Sequence, residues 1–149
     1  MVTTDIQTRE SHLDLTQEIL VRSSLASTFD ALLEQMGPGN QGHTGQPLPM
    51  ILEAWPGGRW FRDLGDSNGH FWGHVQAIKR PTLLEITGPL MLSFPVVSNV
   101  QYRLTAAGED TLITLHHAAY GLIPDGYSDG FSQGWTQMLE GVKRRLRTA

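Results

Sequence analysis

The sequence has no cysteine. That removes disulfides, thiolate nucleophiles and cysteine zinc sites together. It is also short of charge. Asp, Glu, Lys and Arg make up 17% of its 149 residues, and the formal net charge is −4. A chain of that sign has little to offer a phosphate backbone, so no nucleic-acid partner is expected. No apolar run approaches the ~20 residues of a membrane-spanning helix, so no membrane span is expected either. The opening stretch, MVTTDIQTRESHLD, is polar and lacks the apolar centre of a secretory signal, and a cytoplasmic location is the expectation. Marks of catalysis are missing too. G-x-S-x-G is absent, no glycine-rich phosphate loop follows a strand, and no serine has a base marked beside it. The carboxylates are scattered, with no pair that can be set face to face. No catalytic residue, metal ligand or cofactor is therefore assigned, and whether the chain is an enzyme stays open.

What the sequence does hold is material for one core. Hydrophobic residues reach 40% and include four tryptophans. A chain of this length buries a core within one domain. Residues 1–13 read as a flexible leader and 14–149 as a single domain. "LTQEILV" alternates as a first strand. Ser23 and Ser24 then offer a cap to a helix with Leu25, Phe29, Leu32, Leu33 and Met36 at helical spacing. "MGPG" ends it. The Gly/Pro-rich stretch from Gly37 to Pro49 reads as a surface connection, with a lid over a cavity as the alternative.

From Met50 the period becomes two. "MILEAW", "RWFRDL", "HFWGHVQAI", "TLLEITG", "VSNVQYRL" and "TLITLHHAAY" are separated by short turns, which predicts an antiparallel meander. The final "YSDGFSQGWTQMLEGVKRRLRTA" returns to helical spacing, with Phe131, Trp135, Met138, Leu139, Val142 and Leu146 on one face. An antiparallel sheet needs one face covered, and this helix is the element able to cover it. The fold class is therefore α+β, a curved antiparallel sheet wrapped around a long C-terminal helix, with room for a cavity between them.

These segments, in this order, resemble the heat-shock-protein-90 ATPase activator homologue family of the START-like (SRPBCC) superfamily. The resemblance is carried by "ILVRSSLASTFDALLEQM", by the glycine pair Gly57–Gly58 in "EAWPGGRW", and by "GHVQAIKRPTLLEIT" with its turn proline Pro81. "EDTLITLHHAAYG" places His117 at the family histidine, and "GWTQMLEGVKRRL" opens the last helix. Two departures bear on the rim of a cavity. The Gly/Pro stretch replaces a short second helix, and Gly88-Pro89 follows the strand after Pro81. The resemblance implies a helix-grip fold with a hydrophobic cavity and leaves the activity open. The expected function is binding of a small hydrophobic or amphipathic ligand. A chaperone-cofactor-like interaction module and a polyketide cyclase or hydrolase are the alternatives.

Individual residues follow from the strand rule that alternate side chains share a face. In "GHFWGH", His70, Trp72, His74 and Gln76 share one face; Phe71, Gly73, Val75 and Ala77 share the other. At ~3.3 Å per residue the two histidines stand roughly 13 Å apart, too far to hold one zinc ion. With Val75 inward, as the resemblance implies, both histidines face outward, and Trp72 marks either plain surface or a homodimer patch. Thr111, Ile113, Leu115, His117 and Ala119 form the more apolar face of their strand, which puts His117 inside as a core residue or a ligand contact. Arg62 follows Trp60 onto the inner face and would need Glu53 or a ligand carboxylate there, unless a bulge turns it to solvent. The glycines of the last helix, Gly130, Gly134 and Gly141, suggest that something approaches closely, with the sheet favoured over a partner or a ligand. The expected ligand wall is Trp60, Val75, Tyr102, Leu104, Ile113, Leu115, His117, Trp135 and Met138, with Arg62 at its margin. Tyr102 and His117 would orient the ligand.

Overall fold

The computed structural model describes residue 3, residues 11–42 and residues 44–147. Most of the expected leader lies outside the described residues, and its last three residues open the first strand.

Strand β1 (Ser11–Val21) leads into helix α1 (Leu25–Met36). Ser24 caps that helix, its hydroxyl accepting from the Ser27 N–H at 3.2 Å. This satisfies one of the amides a helix start leaves open. Then come β2 (Ile51–Leu52), β3 (Arg59–Gly65), β4 (Asn68–Lys79), β5 (Leu83–Gly88), β6 (Val96–Ala107) and β7 (Asp110–Gly121). Helix α2 (Tyr127–Arg147) closes the chain. The six-strand meander and both helices stand where periodicity puts them. All seven strands form one antiparallel sheet in the order β1-β7-β6-β5-β4-β3-β2. The first strand thus lies beside the last, and both helices face the same side of the sheet. Among the described residues, no helix is long and apolar enough to cross a membrane.

The Gly57–Gly58 pair shows why this turn demands glycine. Gly57 has φ +83°, and a Cβ on Gly58 would sit 1.9 Å from the Glu53 carbonyl oxygen. A left-handed backbone and a backbone-to-backbone contact leave no room for a side chain.

The inner face of the sheet and the apolar stripes of α1 and α2 form one core cluster. On β6 and β7 the alternation is clean, so Val100, Tyr102 and Leu104 and then Ile113, Leu115 and His117 are buried. The helices are also tied to the sheet and to each other by polar contacts. Trp60 Nε1 donates to the Met36 carbonyl at the end of α1 (2.8 Å). Gln17 Nε2 donates to the Ser132 carbonyl of α2 (2.9 Å). Arg145 donates from Nε to Gln35 Oε1 (2.7 Å) and from Nη2 to the Gly39 carbonyl (3.0 Å).

Strand β4 departs from simple alternation. Trp60 pairs with Gly73 and Phe61 with Phe71, so Trp72 is the extra residue of a bulge. A bulge resets the side-chain faces. Trp72 and Val75, expected on opposite faces, are therefore both buried, while Phe71 is 40% exposed. Trp72 packs edge-on against Trp60, ring centroids 5.0 Å apart. The idea of a surface or homodimer patch around Trp72 fails for this reason. His70 is also drawn inward, its Nδ1 accepting from Trp72 Nε1 at 3.0 Å, while His74 lies outside against Phe71.

Candidate functional site

The residues expected to form a ligand wall lie together in the packed core. Trp60 comes from β3, Val75 from β4, Tyr102 and Leu104 from β6, Ile113, Leu115 and His117 from β7, and Trp135 and Met138 from α2. All are buried in the core between sheet and helix. Arg62 is half-buried at the margin, where Nη1 donates to the Pro49 carbonyl at 3.2 Å. Glu53 is not its partner. That carboxylate is held by Arg59, at 2.7 Å to Nε and 2.9 Å to Nη2. The Arg59 side-chain and backbone hydrogen bonds lower its pKa to about 2.

His117 is fully buried and both ring nitrogens are engaged. Nδ1 lies 3.0 Å from Trp135 Nε1, and Nε2 lies 3.0 Å from Ser98 Oγ. An indole N–H can only donate. Nδ1 must therefore carry the lone pair, Nε2 must carry the proton, and Ser98 Oγ must accept. His117 consequently cannot take a proton from Ser98, and the pair is no nucleophile–base couple. Burial, with a smaller contribution from His116, lowers the His117 pKa to about 4. The imidazole is a neutral fastener between β6, β7 and α2. Ser98 did not figure among the expected site residues, although it shares the alternating face of Val100, Tyr102 and Leu104.

Tyr102 differs. Its side chain is fully buried, its ring meets Trp135 edge-on at 6.3 Å, and its hydroxyl has no hydrogen-bond partner among the described residues. Burial pushes the phenol pKa well up, so it remains a neutral O–H. Thr28 Oγ1 on α1 is the other buried oxygen without a partner among the described residues.

Rings connect this interior to the surface. Phe94 meets Tyr127 edge-on at 5.6 Å, and Tyr127 lies 6.4 Å from Phe131. Phe131 meets His117 at 4.9 Å, and His117 meets Trp135 at 5.5 Å. The outer end borders a cleft of about 410 Å³ lined by Ser11, Phe94, Pro95, Leu122, Ile123 and Asp125, among others. Nothing in the local pattern before β6 or after β7 marks this cleft. It exists because β6 and β7 pair and bring residues 94 and 122 together. A second cleft, of about 340 Å³, lies between α1, α2 and the Gly/Pro stretch. Gln41, Gly42, Thr44 and Gly45 form one side of it and Gly134, Gln137 and Met138 the other. Met138 is the one expected wall residue that lines either cleft.

The α2 glycines do not share one reason. A Cβ on Gly141 would lie 2.3 Å from Gln35 Nε2, so α1 and α2 do approach closely there. A Cβ on Gly130 or Gly134 would meet nothing within 4 Å. Close packing against the sheet, expected for all three, is seen at none of them: Gly141 packs against α1 instead. Among the described residues, no group of three or more His, Asp or Glu side chains could hold a metal ion.

A curved antiparallel sheet, a long C-terminal helix across its concave face and a ring-lined interior define a helix-grip protein of the START-like (SRPBCC) class. Within that class the chain belongs to the activator of Hsp90 ATPase homolog 1-like protein family, whose model matches residues 44–147. No curated protein matches the chain. Among solved structures, it is similar to an uncharacterised protein from Rhizobium leguminosarum. Identity is 18% over 95% of this chain and 98% of that one, with TM-score 0.72. It is similar to the protein Ara h 8.0201 at 12% identity over 93% and 100% of the two chains, with TM-score 0.67. It also resembles StfQ, the di-domain ARO/CYC of the steffimycin biosynthetic pathway. Identity is 12% over 89% of this chain and 50% of that one, with TM-score 0.62. At such identities these likenesses establish the fold alone.

Proposed function

We propose that this protein binds a small, largely apolar molecule between the sheet and α2, admitted at the Phe94–Leu122 mouth. The Tyr102 hydroxyl carries the proposal. A buried polar group without a partner costs about 1–3 kcal/mol, and buried groups of this kind call for a reason. A ligand oxygen accepting from Tyr102 would supply one. The cleft of about 410 Å³ is of the size that takes small ligands. Trp60, Val75, Leu104, Ile113, Leu115, Trp135 and Met138 would contribute apolar contact, at ~25 cal/mol per Å² removed from water. His117 would set the positions of Trp135 and Phe131, and Arg62 would stand at the margin. Reaching Tyr102 from Val96 is a path of roughly 20 Å at strand spacing. It requires the start of α2 to move, and the unpacked Gly130 and Gly134 make that segment the weak part of the helix.

Thermal unfolding with fatty acids, fatty alcohols and aromatic ketones tests this. A ligand at 100 times its Kd adds about 2.7 kcal/mol, or roughly 5–10 °C in Tm for a chain of this size. Native mass spectrometry would show the adduct. No shift and no adduct across the panel would overturn the proposal.

A protein-interaction role is the second reading. Ile51 pairs with Phe61 and Phe61 with Phe71, which sets three apolar side chains in a row on the outer face of β2, β3 and β4. Ile51→Ser and Phe71→Ser would abolish any effect on chaperone ATPase turnover if that row is the contact. An unchanged effect would exclude it.

A further inference from the structure

We infer that the interior selects an uncharged ligand bearing a hydrogen-bond acceptor, such as a ketone or ether oxygen, over a carboxylate of the same size. The inference rests on the binding reading above and names the ligand's chemistry.

Among the described residues, the buried polar side chains are Thr28, Gln35, Asn40, Ser98, Thr111 and His117, with Tyr102 among the buried aromatics. Gln35 is taken by Arg145, Asn40 donates to the Leu48 carbonyl at 3.0 Å, and Thr111 donates to the Ser23 carbonyl at 2.8 Å. Trp135 and Ser98 satisfy the two ring nitrogens of His117, with Ser98 Oγ acting as an acceptor. The hydroxyls without any partner among the described residues are those of Tyr102 and Thr28; these and the Ser98 O–H are neutral donors. No lysine or arginine is buried among the described residues. The guanidinium groups nearest the core are engaged, Arg145 on Gln35 and the Gly39 carbonyl and Arg62 on the Pro49 carbonyl. His117 cannot serve as a cation, because protonating Nδ1 would set it donor-to-donor against Trp135 Nε1. A carboxylate entering this space would lose its hydration and meet only neutral hydroxyls, which do not compensate a buried charge. A ketone loses far less and recovers it from the Tyr102 O–H.

Three probes of one shape separate the possibilities: naphthalene, 2-acetylnaphthalene and 2-naphthoate. Their Kd values at pH 7.5 can be read from quenching of tryptophan fluorescence. The expected order is 2-acetylnaphthalene tightest, naphthalene about 5- to 10-fold weaker, and 2-naphthoate at least 10-fold weaker than the ketone. Tyr102→Phe is expected to bring the ketone down to naphthalene's affinity, to leave naphthalene unchanged, and to leave the unliganded protein as stable as the parent or more so. Naphthoate binding as tightly as the ketone would overturn the inference while leaving ligand binding intact. A ketone-to-naphthalene ratio of one in the parent protein would overturn it too, whatever the variant does. Failure of all three probes to bind would remove the binding reading and this inference with it.

Discussion

Trp135 Nε1 donates to His117 Nδ1 at 3.0 Å, and that contact fixes the His117 tautomer and makes Ser98 Oγ the acceptor of its other ring nitrogen. It makes a buried histidine, which by residue type could be a base, into a link between sheet and helix.

Stability should fall in acid across a window set by His117. Its pKa is 6.5 as a free group and about 4 when folded. The unfolded chain binds the proton first, so stability drops as pH falls from about 6.5 and levels off below about 4. The loss is on the order of 3 kcal/mol. Glu53 acts in a lower window, because its folded pKa of about 2 lies below the free value of 4.5. Urea unfolding of the parent and of His117→Gln between pH 7.5 and 4 measures the difference. Parallel pH curves would refute the assignment.

Removing the indole N–H should expose the imidazole's dependence on it. Trp135→Phe leaves Nδ1 without a donor and is expected to cost about 1–3 kcal/mol beyond the loss of ring volume. The His117 titration midpoint should rise from about 4, since protonated Nδ1 no longer faces a donor. Nitrogen-15 NMR of the imidazole reads both the tautomer and the midpoint. An unchanged midpoint would count against the tautomer argument.

Glycine substitutions in α2 should change stability in opposite directions. Gly130→Ala and Gly134→Ala add a methyl group into open space and are expected to stabilise by about 0.5–1 kcal/mol each. Gly141→Ala puts a Cβ 2.3 Å from Gln35 Nε2 and should destabilise by disturbing the Gln35–Arg145 contact. If the stabilised variants also bind the probes more slowly in stopped-flow, the start of α2 is the moving part. Unchanged association rates would place the opening elsewhere.

The bulge in β4 predicts unequal costs for two neighbouring aromatics. Trp72→Ala should cost about 3–5 kcal/mol, as for a large core side chain. Phe71→Ala should cost under about 1 kcal/mol, because Phe71 is 40% exposed. Chemical denaturation measures both, and the reverse order would mean that Trp72 faces solvent.

Much of this was legible in the chain. The inward faces of His117 and Tyr102 are legible from alternation alone, and they hold because β6 and β7 pair without a bulge. The strand ruler likewise kept His70 and His74 from being read as one metal site. The same ruler misplaced Trp72. A bulge depends on how β4 meets β3, and no alternation within "GHFWGH" reveals it. Arg62 and Glu53 failed as a pair for a similar reason. Arg59, beside the Gly57–Gly58 turn, reaches the carboxylate first.

The sequence by itself determined the number and order of strands and helices and the inward face of each straight strand. Those depend on spacings of two and 3.6 residues, which are local. The tertiary structure decided which polar atoms meet. Ser98, His117 and Trp135 come from separate elements, and their hydrogen bonds exist only once β6, β7 and α2 are packed. The same packing left the Tyr102 hydroxyl without a partner, because a hydrogen bond requires atoms within about 3 Å and no spacing along one chain segment specifies that.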